Sequence, residues 1–326
     1  MKRPQNIIAE SGLTLPFAAL FGILVWLLAG LVQQQLWPQL AIFVATIYVL
    51  VELTNQNALL RVRSRMVSST FILLSCTGCF LLPQMTGGIV QLCFTLAFLL
   101  LFQTYQTSHS VGRTFYAFTA VGLASIAFVQ VLWYVPVLWV LMATQLQSMS
   151  WRTWWASLLG LALPYWFALL WFLFPFNLSA DWTTNLSPLA SHFAQLADIT
   201  LHSSLIGHHP QLITYHIIAR FLILTLTVTL AAVGMAHFWQ HSFEDKIRIR
   251  LLYGFFTAMT AVTVLFIVLQ PQHFDVLMRL LTLCACPLIA HVMTFTSSRL
   301  SNILFFIALA LTLAVTAYNL FPWTAS

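Results

Sequence analysis

Two arginines stand inside otherwise apolar runs. Arg220 lies in QLITYHIIARFLILTLTVTLAAVGMA and Arg279 in FDVLMRLLTLCACPLIAHVM. A guanidinium stays charged and offers forked N–H donors, so two at similar depth suit a phosphate or pyrophosphate. Nearby in the chain lie Asp181, His192, Asp198, His202, His208, His209, His216, His273 and Asp275. Carboxylates and imidazoles of this kind can do general acid–base work. The site predicted from these types has Arg220 and Arg279 binding substrate, Asp181 or Asp198 as base, and His202 or His216 assisting. A purely structural reading stands beside it. Asp275 and Arg279 are four residues apart and can pair on one helix, and Asp275 suits a helix N-terminus alone. Arg220 sits roughly 12 Å along its helix if that helix starts near Leu212, within reach of a snorkelling side chain.

Other candidates are weaker. Asp198, His202, His208 and His209 lack the spacing of a zinc site, and no metal or cofactor is predicted. Cys76 and Cys79 form CTGC, and Cys284 and Cys286 sit in a second apolar run. A thiol relay would want a soluble active-site context, so small residues packing between helices explain them better. Glu52 closes an apolar run and is either a proton site of a transporter or an interface residue meeting Arg61 or Arg63.

The elements that carry these residues follow from composition. Of 326 residues, 60% are hydrophobic and 6% charged, against about 25% charged in soluble domains. The chain is therefore read as an all-α, polytopic integral membrane protein. Its apolar runs are Leu15–Val32, Gln39–Thr54, Met66–Leu82, Ile89–Thr104, Phe115–Leu146, Trp154–Phe174, Leu212–Ala236, Leu251–Leu269, Asp275–Met293 and Ser301–Leu320. Phe115–Leu146 contains Pro136 and is long enough for one helix or a hairpin of two. Charge favours the hairpin, because a single crossing would put Arg152, Lys246, Arg248 and Arg250 outside. That gives about eleven transmembrane helices (nine if the hairpin is re-entrant), N-in and C-out. Lys2, Arg3, Arg61, Arg63, Arg65, Arg113, Arg152, Lys246, Arg248, Arg250 and Arg299 then face the cytoplasm, and only Arg220 and Arg279 lie in outer halves. Lys2 and Arg3 precede an apolar run too long for a signal core, so that run is expected to stay as the first span. The net charge of +6 reports orientation and contact with anionic lipid, with no nucleic-acid partner implied.

The one long polar stretch, 175–211, falls outside. Ser187, Pro188 and Gly207 mark the ends of an amphipathic helix over 188–206, with Ser191, Gln195, Asp198 and His202 on one face. It has no Lys/Arg face, so it is expected to pack on the protein or cover an opening.

The runs SWRTWWASLLGLALPYWF, from Ser150 to Phe167, and ELTNQNALLRVRSR, from Glu52, resemble an uncharacterised family of multi-pass inner-membrane proteins of Bacteroidota. The resemblance implies a bacterial inner-membrane location and carries over no catalytic residue. Three functions fit these residues. One is recognition or processing of a polyprenyl-phosphate-linked glycan at the periplasmic face. The others are a transporter or flippase, and a non-catalytic subunit with an envelope protein partner.

Overall fold

The computed structural model describes residues 4–60, 64–173, 190–196, 210–296 and 299–324. Among them the regular elements are helices: α1 Pro4–Glu10, α2 Thr14–Leu28, α3 Trp37–Asn57, α4 Met66–Thr77, α5 Met85–Phe102, α6 Val111–Ala127 and α7 Tyr134–Thr144. There follow α8 Trp151–Leu173, α9 over 190–196, α10 Pro210–His241, α11 Ile247–Leu269, α12 Phe274–Phe295 and α13 Arg299–Thr324. Seven are long and apolar enough to cross a membrane; α2, α4, α6 and α7 are apolar but shorter. Every apolar run named above contains helix.

Phe115–Leu146 is broken in two. Phe128 is extended at φ −153°, a 3₁₀ turn spans Val129–Trp133, and α7 begins at Tyr134. Eleven residues of α7 rise only about 16 Å, roughly half the hydrocarbon thickness.

The chain forms two compact units, residues 1–91 with 202–326, and residues 92–201. In the first, α12 is the central element. Its membrane-length window is 83% buried, against 28–61% for the other six long helices. It packs on α10, α11, α4 and α1. Bilayer lipid offers no hydrophobic drive for helices to associate, so small residues that admit a neighbouring backbone matter most. Gly234 of α10 is one: a Cβ there would stand 2.8 Å from the carbonyl oxygen of Leu288 on α12. Polar ties cross the same unit. Gln5 Nε2 donates to Met293 O at 2.8 Å, and Asn319 Nδ2 to Thr77 O at 2.6 Å.

In the second unit, α6 and α8 are the closest pair, each notched by a glycine. Gly122 of α6 faces Leu161 O at 2.8 Å from an added Cβ, and Gly160 of α8 lies against the carbonyl of Phe115. Pro164 lies within α8 and meets the Gly122 notch. The described part of the polar stretch, α9, docks here. His192 Nε2 is 2.9 Å from Ser125 O, and the Phe193 ring lies 5.2 Å from that of Tyr165. The remainder of the expected helix 188–206 lies outside the described residues.

Helix α3 ends on Ala58, which takes a left-handed conformation at φ 46°, ψ 47°. A Cβ is unfavourable there and glycine is the ordinary occupant. Ala58→Gly is expected to stabilise the fold by about 0.5–1 kcal/mol, the relief being partly offset by a more flexible unfolded chain. An upward shift of the thermal midpoint in detergent checks this.

Candidate functional site

The start of α12 is set by its sequence. Pro271–His273 form a 3₁₀ turn, and Asp275 falls in the first helical turn, where a carboxylate meets the positive end of the helix dipole. Helix α10 lies alongside and brings Arg220 to it. Arg220 Nη2 is 3.2 Å from Asp275 Oδ1 and 3.3 Å from Oδ2. Gln84 Nε2 donates to Asp275 Oδ2 at 2.6 Å. The Arg220 guanidinium carbon also sits 5.5 Å from the Phe274 ring centre, a cation–π distance.

Arg279, one turn further along α12, does not pair with Asp275 as its i,i+4 spacing suggested. It turns to the segment between α4 and α5, where Nη2 donates to the carbonyl of Leu81. Gly87 and Gly88 make room for it. A Cβ at Gly87 would stand 2.9 Å from Arg279 Cδ, and one at Gly88 3.2 Å from Nη1. Gln91 Nε2 closes the arrangement by donating to Arg279 O at 2.8 Å. Arg279 Nε and Ser75 Oγ are buried with no hydrogen-bond partner among the described residues. Both residues line a cavity of about 20 Å³, the room of one water and too small for a phosphate.

The two arginines therefore differ. Arg279 is enclosed by backbone and glycines. The Arg220 side chain is one-third exposed, at 33%. It lines a 270 Å³ cavity with Ile217, Phe221, Leu224, Ile267, Val268 and Phe274. A cation at the wall of an apolar slot can hold an anionic head whose tail is hydrocarbon. Of the predicted acid–base residues, Asp181, Asp198 and His202 lie outside the described residues, as do His208 and His209. The backbone of His216 belongs to α10, one turn before Arg220, and its side chain is outside the described set.

Other sequence candidates find simpler surroundings. Glu52 Oε1 accepts from Gln56 Nε2 at 2.6 Å, one turn away on α3. Arg61 and Arg63 are outside the described residues. Cys76, Cys79, Cys284 and Cys286 are free thiols, all buried. Such packing inside helices is what small side chains provide. Among the described residues, no group of three or more His, Cys, Asp or Glu is placed to hold a metal.

A second polar cluster escaped the sequence reading. His291 Nε2 lies 3.2 Å from Asp245 Oδ2, with side chains 2% and 1% exposed. Tyr253, Phe295, His237 and Phe238 surround the imidazole at ring distances of 4.9, 4.8, 5.6 and 5.7 Å. His237 stacks on His241 at 4.4 Å. Three helices and one turn thus meet at a sealed His–Asp pair. The available signal was His291 itself, an ionisable residue within an apolar run. Its partner sat in a charged loop 46 residues earlier.

No protein-family model, curated protein or solved structure matches the chain.

Removing one partner of a buried pair strands the other without solvent. Asp245→Ala is expected to destabilise by about 3–5 kcal/mol. Arg220→Ala, at a part-exposed pair, should cost about 1 kcal/mol or less. Chemical denaturation in one detergent, with both variants against wild type, reads the difference.

Proposed function

We propose that the chain is a polytopic protein of the bacterial inner membrane that recognises a polyprenyl-phosphate-type lipid, free or glycan-linked, at its periplasmic face. About eleven crossings (nine if the Phe115–Leu146 hairpin is re-entrant), N-in and C-out, would put Arg220 and Arg279 in the outer half, by the asymmetry of the remaining Lys and Arg. The observation that carries the reading is Arg220 at the wall of the 270 Å³ apolar cavity. In it the isoprenoid chain takes the slot between α10 and α11, and the phosphate takes Arg220 from Asp275. Asp275 keeps the hydrogen bond from Gln84, so the exchange leaves no carboxylate stripped of partners. Arg279 contributes its charge from behind while its geometry stays fixed by Leu81, Gly87 and Gly88.

Native mass spectrometry in mild detergent tests this. Wild type should carry a polyprenyl-phosphate mass that Arg220→Ala reduces at least tenfold and Arg220→Lys retains in part. Equal bulk phospholipid in all three would end the proposal and leave Arg220 as the ion-pair partner of Asp275.

A proton-coupled transporter is the second reading, favoured by the sealed Asp245–His291 pair rather than by Glu52. It requires substrate counterflow in proteoliposomes that Asp245→Asn abolishes and Glu52→Gln leaves intact.

A further inference from the structure

The second unit gathers its basic residues at one end. Successive pairings give the sense of α6 against α8. Gly160 lies against the Phe115 carbonyl, Gly122 against Leu161 O and Pro164, and Tyr165 Oη donates to Ser125 Oγ at 2.7 Å. Both helices advance together through these pairings, so they run parallel and begin at the same end. The loops that precede them are tied there. Ser150 Oγ donates to Ser108 O at 2.9 Å, and Gln106 N to Leu146 O at 2.9 Å. Arg113 in the first turn of α6 and Arg152 in the first turn of α8 therefore share that end, and both are exposed.

Neither arginine serves the helix that bears it. A cation in a first turn faces the positive end of the helix dipole, where a carboxylate is the stabilising residue, and neither first turn has one. Arg113 donates Nη1 to Gln103 O at 2.7 Å and keeps the rest of its fork. No Asp or Glu occurs in the sequence between Glu52 and Asp181, a stretch that covers all of α4 to α8. The two arginines pair with no carboxylate among the described residues. Beside Arg152 stand Trp151, Trp154 and Trp155, packed on one another at ring distances of 5.3, 5.8 and 5.1 Å. Trp139 backs them, 5.9 Å from Trp154, and its Nε1 donates to Ser157 Oγ at 3.0 Å. Trp151 is 72% and Trp155 48% exposed. Exposed indoles at the end of a membrane-length helix belong at the level of the lipid headgroups. The unpaired cations therefore stand where headgroups lie, and their charge selects an anionic one.

We propose that this end of the second unit docks the headgroup of an anionic phospholipid, with Arg113 and Arg152 on the phosphate and Trp151 and Trp155 against the base of the acyl chains. A guanidinium fork matches phosphate oxygens, and an indole offers an apolar body with one N–H donor. A topology signal alone would need the positive charge and nothing from the indoles. The site is independent of the Arg220 reading, since neither arginine lines the Arg220 cavity and the lipid is one of the bilayer itself.

The test places the full chain in phosphatidylcholine nanodiscs containing a phosphatidylglycerol analogue with a diazirine in its headgroup, and maps the label by peptide mass spectrometry. Label is expected on the 105–116 and 147–155 segments. Arg113→Gln with Arg152→Gln should lower it about tenfold there. Should that variant insert wrongly, Trp151→Leu with Trp155→Leu keeps every charge and should lower it about threefold. Arg220→Ala should label as wild type does, which separates failure here from failure of the Arg220 reading. Equal labelling by a phosphatidylcholine analogue, label confined to the basic 246–250 segment, or label undiminished in the indole variant would overturn the assignment.

Discussion

Helix α12 imposes the constraint from which the first unit follows. It is apolar enough for a membrane interior yet is buried almost wholly by protein, so neither water nor headgroups satisfy what it carries. Each polar group on it must therefore find a partner on a neighbouring element. Asp275 takes Arg220 and Gln84, Arg279 takes the Leu81 carbonyl, and His291 takes Asp245. Those pairings select the neighbours: α10 and the α4–α5 segment at one end, the α10–α11 turn at the other. Without them α12 would be one of several interchangeable apolar rods.

The two ends meet the constraint differently. At the Asp275 end the ion pair is part-exposed and borders an apolar cavity, so its arginine can change partner at modest cost. At the His291 end both side chains are almost fully enclosed by aromatic rings, where exchange of partner would strand a charge. The first end can therefore exchange partners and the second cannot without stranding a charge. Arg279 shows the same logic in miniature. Its guanidinium is held by a backbone carbonyl and two glycines, so its charge is fixed in place while Arg220 is free to respond.

Packing of the helices themselves rests on absence of side chain rather than on apolar surface. Lipid is as apolar as leucine, so burying leucine between helices gains little, whereas backbone approach gains dispersion contacts over many atoms. Gly234, Gly122 and Gly160 are the points where this occurs. A 460 Å³ cavity remains between α2, α4 and α13, although Gly22 of α2 packs closely on Ile72 of α4.

The sequence by itself determined the class and the segmentation. Low charge and long apolar runs are local properties, and helix is the structure in which such a run satisfies its own backbone. The break within Phe115–Leu146 was expected from the charge balance alone, and it falls at Phe128–Trp133, before Pro136, which lies inside α7. Arg220 and Arg279 could be named as unusual because each interrupts an apolar run, and Asp275 because it opens one. Which of them pair could not. Spacing favoured Asp275 with Arg279 on one helix, and the packing of α10 on α12 decided for Arg220, 55 residues away. The Asp245–His291 pair and the Gln5–Met293 hydrogen bond were beyond reach for the same reason. Their chemistry arises from groups far apart in the chain, and only tertiary packing sets that proximity.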